Sequence, residues 1–232
     1  MDARINPVPI DQSIRFRRAF RTIDLTTRLF VRYSGLEVPP ETLDAFQGPC
    51  IVAANHRSLF DALAAIRVLG SLGQSARVAS AAWLWENRAL GRLLNQIGAI
   101  PVHPGRGGLA TVEVAVAALE GGDTLVMTPE GRVVPRADRP TGVGGGHKIL
   151  SRIACSADVP VIPAALVGTD ELWPLERRTP RLRPWHRPLV QYAFGPPIRF
   201  DSDAHRRNVD EALEAIAALT RRLESDRPFV QS

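Results

Sequence analysis

Beyond the turn-forming run around Pro39 and Pro40, short β-branched or apolar stretches alternate with stretches of helical character, and this alternation leaves few architectures open. Strands are predicted at 50–54, 77–81, 99–102, 124–127, 161–166 and 189–194. Helices are predicted at 59–69, 86–97, 109–119, 146–155 and 203–223. A strand followed by a helix and then another strand returns parallel to the first, because the crossover carries the chain back to the same end of the sheet. The expected fold class is therefore α/β: a mixed, largely parallel sheet flanked by helices, with an N-terminal amphipathic helix in front. In such sheets chemistry gathers beyond the carboxyl ends of the strands. The strand at 161–166 is bracketed by Pro160 and Pro163, which an interior strand rarely tolerates, so it is expected at a ligand cleft or a sheet edge.

The N-terminal segment has a character of its own. On a helix drawn through 16–32, Phe16, Phe20, Ile23, Thr27, Phe30 and Val31 share one side, and Arg17, Arg18, Arg21, Arg28 and Arg32 share the other. Leu25 and Leu29 interrupt the basic side. A helix lying in an anionic membrane interface needs such a pattern, and so does a surface helix packed on its own domain. The 232 residues fit one domain with an appendage: 1–36 as the amphipathic helix and its lead-in, 37–225 as the strand–helix body, and 226–232 as a tail.

A formal charge of +5 invites anionic partners, and Lys148 is the one lysine among 29 basic residues. Arginine forks suit phosphate better than ammonium groups do, although genomic base composition also enriches arginine. Nucleic acid is disfavoured, because the first arginines oppose aromatics instead of interleaving with them for base stacking. Cys50 and Cys155 stand apart with no metal-binding spacing, which argues for a reducing compartment. Neither a signal-peptide core nor an apolar run of ~18–20 residues is present, so the protein is expected to be cytosolic or to lie peripherally on the cytoplasmic face of a membrane.

Four blocks carry residues capable of chemistry. The first strand runs into Asn55-His56-Arg57-Ser58-Leu59-Phe60-Asp61, with histidine and aspartate five positions apart. On one helix that spacing separates two side chains by about 140°. They meet only if His56 lies in the loop and Asp61 in the first turn of the next helix, a start that Ser58 and Asp61 mark as a capping box. The pair is then either a capping acid beside a loop histidine or a general base whose tautomer a carboxylate fixes. Ser58 and the cysteines lack the sequence context of covalent nucleophiles, since no GxSxG elbow occurs.

The second block, from Gly98 through Arg106 to Gly108, is a strand followed by a glycine-rich turn that opens a helix. Its backbone amides, with Arg106, Gly105 and Gly107, suit a phosphate. The third is Pro129-Glu130-Gly131-Arg132, at another carboxyl edge. The fourth is Val159-Pro160-Val161-Ile162-Pro163.

In this order the blocks resemble those of the glycerolipid acyltransferase family, whose first signature, HX4D, is His56 through Asp61 here. The resemblance departs in two places. The second block usually carries an acid and then arginine where His103 and Pro104 stand, leaving Arg106 as a shifted substitute. The third commonly has a threonine between glycine and arginine, whereas Arg132 directly follows Gly131. The resemblance implies a 1-acylglycerol-3-phosphate O-acyltransferase-like enzyme of phospholipid biosynthesis. It would take a fatty acyl thioester, acyl-CoA or acyl carrier protein, as co-substrate and need no other cofactor and no metal. His56 and Asp61 would be catalytic, and Gly105, Arg106, Gly107, Glu130, Gly131 and Arg132 would bind the headgroup of a lysophosphatidate-like acceptor. Another lysolipid, glycolipid or aminolipid remains an alternative acceptor. A non-catalytic protein binding anionic membranes or nucleic acid is the reading from a different class.

Overall fold

A computed structural model describes residues 14–102, 108–135 and 146–226, apart from 175, 178, 182 and 184. Its strands are β1 (Arg32–Gly35), β2 (Ile51–Ala54), β3 (Ala76–Ala81), β4 (Ile100–Val102), β5 (Thr124–Met127), β6 (Val161–Val167) and β7 (Leu189–Phe194). Its helices are α1 (Ile14–Phe30), α2 (Pro40–Ala45), α3 (Asp61–Ser71), α4 (Arg88–Gln96), α5 (Gly108–Glu120), α6 (Ile149–Ala157), α7 (Thr169–Leu172) and α8 (His205–Ser225), with a 3₁₀ turn at Ala82–Glu86. The strands form one seven-stranded sheet in the order β1-β7-β6-β2-β5-β3-β4. Every neighbouring pair is parallel except β6 with β7, so the sheet is mixed and largely parallel, as the strand–helix alternation requires.

Helices cover both faces, which is why β2, β5 and β6 are buried along their whole length. Alternate residues serve opposite layers. Ile51, Ala53, Leu125 and Met127 meet Leu119, Ile153 and Ile216 from α5, α6 and α8. Val52, Ala54, Val126 and Ile162 meet Ile66, Leu69 and Leu94 from α3 and α4. Each fully buried Leu or Ile in these layers contributes about 1.5–3 kcal/mol.

Two features depart from the sequence expectation. The proline-flanked β6 is not an edge: it lies between β7 and β2. Pro163 is tolerated because its missing N–H faces β7 at a break in the ladder. Val161 pairs with Ile198 on that side, Gly195 N–H donates to the Pro163 carbonyl at 2.8 Å, and regular pairing resumes at Ala164 with Phe194. The register slips by one residue between these contacts, so the proline occupies a bulge. On its other surface β6 borders an apolar cavity of about 20 Å³ beneath α3, lined in part by Ala54, Val68, Leu69, Ala164 and Phe194.

The second departure is β1. Arg32-Tyr33-Ser34-Gly35 has no apolar alternation, yet it pairs with Leu189 through Tyr192 of β7. Long-range pairing, not local pattern, makes it a strand. The helix before it packs on the body. Ile23, Thr27 and Val31 are buried, Asp24 forms ion pairs with Arg28 and with Arg67 of α3, and the Arg67 guanidinium stands 5.4 Å from the Tyr33 ring centroid. Leu25 and Leu29, at 67% and 57% exposure, face outward. Phe16, Phe20, Arg17 and Arg18 belong to the stretch whose side chains are outside the described residues. Among the described residues no helix is long and apolar enough to cross a membrane.

Candidate active site

The end of β2 is set by a side chain. After Ala54 pairs with Ala164, Asn55 takes over the ladder: its Nδ2 donates to the Leu166 carbonyl at 2.9 Å and its Oδ1 accepts from the Leu166 N–H at 2.7 Å. An amide has one donor and one acceptor end and reproduces a peptide group here. The backbone is thereby released from the sheet while still anchored to β6, and the next residue, His56, leaves at the carboxyl edge. Asn55 is only 1% exposed, so Asn55→Ala orphans two buried backbone groups on Leu166. Urea unfolding should show a loss of about 1–3 kcal/mol for each orphaned group. Unchanged stability would mean that the side chain is not part of the ladder.

The loop then folds back on a single carboxylate oxygen. Asp61 Oδ2 lies 2.8 Å from His56 Nδ1 and accepts from the backbone N–H groups of Arg57 at 2.7 Å and Ser58 at 2.8 Å. These two amides precede the amino end of α3, where a negative charge is favoured. The expected capping box is half realised. The acid reaches back to the Ser58 N–H, but Ser58 Oγ accepts from the Phe60 N–H at 3.0 Å, and regular helix begins only at Asp61. With Nδ1 donating to Asp61, Nε2 carries the lone pair, and it has no hydrogen-bond partner among the described residues. The imidazole keeps 23% of its side-chain surface open against 6% for the carboxylate. The nitrogen left with the lone pair thus belongs to a partly open ring, while the carboxylate on the other nitrogen is buried.

The segment after β5 braces this loop. Val134 N–H donates to the His56 carbonyl at 2.9 Å, and the His56 N–H makes a long contact of 3.4 Å to Glu130 Oε1. Glu130, expected to hold a headgroup, is 2% exposed and lies against the backbone of His56. Gly131 turns the chain at φ +65°, with the position its Cβ would take 3.0 Å from the His147 ring, so a side chain there meets both strain and a close neighbour. Arg132 is exposed beside it. Gly105, Arg106 and Gly107, like His103, lie outside the described residues. The structure thus brings His56, Asp61 and Glu130 together, with Gly131 and Arg132 adjoining.

Sequence reasoning did not single out two neighbours. Arg57, 6% exposed, places its guanidinium 2.8 Å from Glu224 in the last turn of α8. Trp173, just after α7, accepts from Ser58 Oγ at 2.7 Å through its carbonyl. An arginine between histidine and serine gives no hint of a partner at the far end of the chain. Ser58, fully buried with its oxygen occupied on both sides, is no nucleophile. Nor is Cys50: burial pushes its thiol up to about 11, only partly offset by the Thr124 hydroxyl. Iodoacetamide at pH 8 should alkylate the half-buried Cys155 first and Cys50 only after denaturation. Equal labelling of both in the native state would contradict this packing.

Both the sequence and the fold have counterparts among known proteins. The model of the family described as Acyltransferase matches residues 30–167, which include β1, the histidine loop, the segment that braces it and all of β6. Over 136 residues the chain is 26% identical to the chloroplastic 1-acyl-sn-glycerol-3-phosphate acyltransferase BAT2 of Brassica napus, a match covering 58% of this chain and 37% of that protein. The chain thus spans little more than a third of the curated relative's length. In fold it is similar to the crystal structure of PlsC, the 1-acyl-sn-glycerophosphate acyltransferase of Thermotoga maritima, with a TM-score of 0.70 at 17% identity over 92% of this chain and 83% of that one. On the strength of the family match across more than half its length, the chain belongs to the acyltransferase family.

Proposed function

We propose that this protein is an O-acyltransferase that moves a fatty acyl group from acyl-CoA or acyl carrier protein to the free hydroxyl of a lysophosphatidate-like glycerolipid at an anionic membrane surface. The observation that carries the reading is the 2.8 Å contact between His56 Nδ1 and Asp61 Oδ2, which leaves Nε2 as a base beyond the carboxyl ends of three adjacent parallel strands. The acceptor hydroxyl gives its proton to Nε2 as its oxygen bonds to the thioester carbonyl carbon. Asp61 stabilises the imidazolium that results. The tetrahedral intermediate collapses, the carbon–sulfur bond breaks, and the thiolate takes the proton back from His56. No acyl-enzyme intervenes.

Lysophosphatidate is favoured as acceptor by the name of the Brassica relative and by the exposed Arg132 beside the histidine loop, with Gly131, Arg106 and the Gly105 and Gly107 amides as further headgroup contacts. Glu130 contributes by holding the His56 backbone. Leu25 and Leu29, outward on α1 beside the exposed Arg21 and Arg28, would meet the lipid surface. The test is one labelled acyl-CoA offered with lysophosphatidate, lysophosphatidylcholine, lysophosphatidylethanolamine and a glycolipid acceptor. Esterification of lysophosphatidate above the others supports the reading. Preference for a different lysolipid moves the assignment to that acceptor, and no ester with any of them removes the proposed reaction.

A further inference from the structure

The carboxyl edge of the sheet carries a second basic border that the histidine loop and the expected headgroup blocks do not use. Because β7 runs opposite to β6, and β1 runs with β7, the chain between β6 and β7 lies at the edge from which His56 emerges. So does the junction of α1 with β1. That connection, residues 173–188, contains five arginines and one acid, Glu176. It is tied to the catalytic loop directly, since Ser58 Oγ donates to the Trp173 carbonyl.

The connection is built, not merely charged. Arg177 N–H donates to the Pro174 carbonyl, Arg181 N–H to the Leu172 carbonyl, and the Trp173 indole to the Arg177 carbonyl at 3.0 Å. Arg183 and His186 form a bridge that closes a turn, with Trp185 at its tip 83% exposed. Arg187 is occupied on the carbonyls of Arg28 and Val31 at the end of α1. The exposed guanidinium groups of Arg177, Arg181 and Arg183 have no side-chain partner among the described residues.

We propose that Arg177, Arg181, Arg183 and Trp185 bind the phosphorylated nucleotide end of a coenzyme A thioester, with the indole against the base and the guanidinium forks on the phosphates. This rests on the transfer reaction proposed above and deepens it by selecting the donor. Two anionic substrates must reach one imidazole. Arg132 lies on the β5 side of β2, and the border described here lies on the β6 and β7 side, so the two ligands approach from opposite flanks. A pantetheine arm places the phosphates far from the thioester carbon, as a rim site demands. An exposed indole beside arginine forks is what a purine nucleotide phosphate can use. A lipid interface would need several apolar side chains. Among the described exposed residues the large ones are Leu25, Leu29, Leu43, Trp83, Leu109 and Trp185, and only the last belongs to this connection.

The test is equilibrium binding by calorimetry at low and moderate salt, using free coenzyme A and pantetheine, the latter without any phosphate. Wild-type protein should bind coenzyme A, more weakly as salt rises. Arg181→Ala/Arg183→Ala should weaken that binding about tenfold or more, and pantetheine should not distinguish the two proteins. Arg181→Lys/Arg183→Lys, which keeps the charge and loses the forks, should fall between them, and Trp185→Ala should weaken coenzyme A binding independently. Coenzyme A binding that is absent from wild type, or equal in wild type and the alanine double variant, overturns the proposal. So does a loss confined to acyl carrier protein or to anionic vesicles, each tested in parallel. The measurement requires no turnover, so a failure of acyl transfer would remove the proposed reaction and leave this binding result to stand or fall alone.

Discussion

His56→Ala is expected to lower kcat for acyl transfer by about 10²–10⁴-fold, the contribution of a positioned general base, with little change in KM for either substrate. The split follows from the geometry. In the proposed mechanism Nε2 meets only the hydroxyl that reacts, so its loss should be felt in the transition state more than in binding. Folding should be nearly untouched, because Asp61 Oδ2 retains the amides of Arg57 and Ser58 and the imidazole is already partly open. Steady-state kinetics with matched urea unfolding separates the cases. Near-normal turnover would eliminate the base, and an unfolded variant would make the histidine structural.

Asp61→Asn should cost a comparable factor by a different route. The carboxamide oxygen can take the place of Oδ2 and still accept from both loop amides and from His56, so the fold of the loop survives. The negative charge does not survive, and the imidazolium formed during transfer loses its stabilisation. The remaining amide nitrogen would then occupy the place of Oδ1, which is buried without a hydrogen-bond partner among the described residues. This exchanges one buried unpaired polar group for another, so the stability cost should stay below the ~1–3 kcal/mol of newly orphaning a buried group. Loss of the carboxylate behind a catalytic histidine elsewhere lowers turnover by about 10⁴-fold, and a fall of about 10²–10⁴-fold is expected here. Asp61→Ala should be worse for stability than Asp61→Asn, since it strands the Arg57 and Ser58 amides in a buried place. If the two variants unfold alike, those amide contacts contribute nothing.

The parts of the fold that follow from local pattern were readable before any coordinates. Thr124–Met127 and Leu189–Phe194 match their predicted bounds, and the other four predicted strands shift by a single residue at one end, because β-branched runs between turn formers leave little choice. The sequence made the meeting of His56 and Asp61 conditional on the first lying in the loop and the second in the first helical turn, and the structure meets that condition. What remained hidden depends on distant partners. Arg32-Tyr33-Ser34-Gly35 becomes a strand only because β7 lies beside it. Pro163 reads as an edge signal until the bulge opposite Gly195 is known. Asn55 looks like one more loop residue, and nothing near Glu130 announces that its carboxylate turns inward to the His56 amide.

The proposed mechanism requires that His56 carry its proton on Nδ1. Nitrogen-15 NMR of histidine-labelled protein, with the His56 signal assigned by its absence in His56→Ala, reads this directly. A neutral ring protonated at Nδ1, with Nε2 in the unprotonated range, is the predicted state. A ring protonated at Nε2, or one rapidly averaging its two tautomers, would mean that Asp61 does not orient it and would contradict the mechanism.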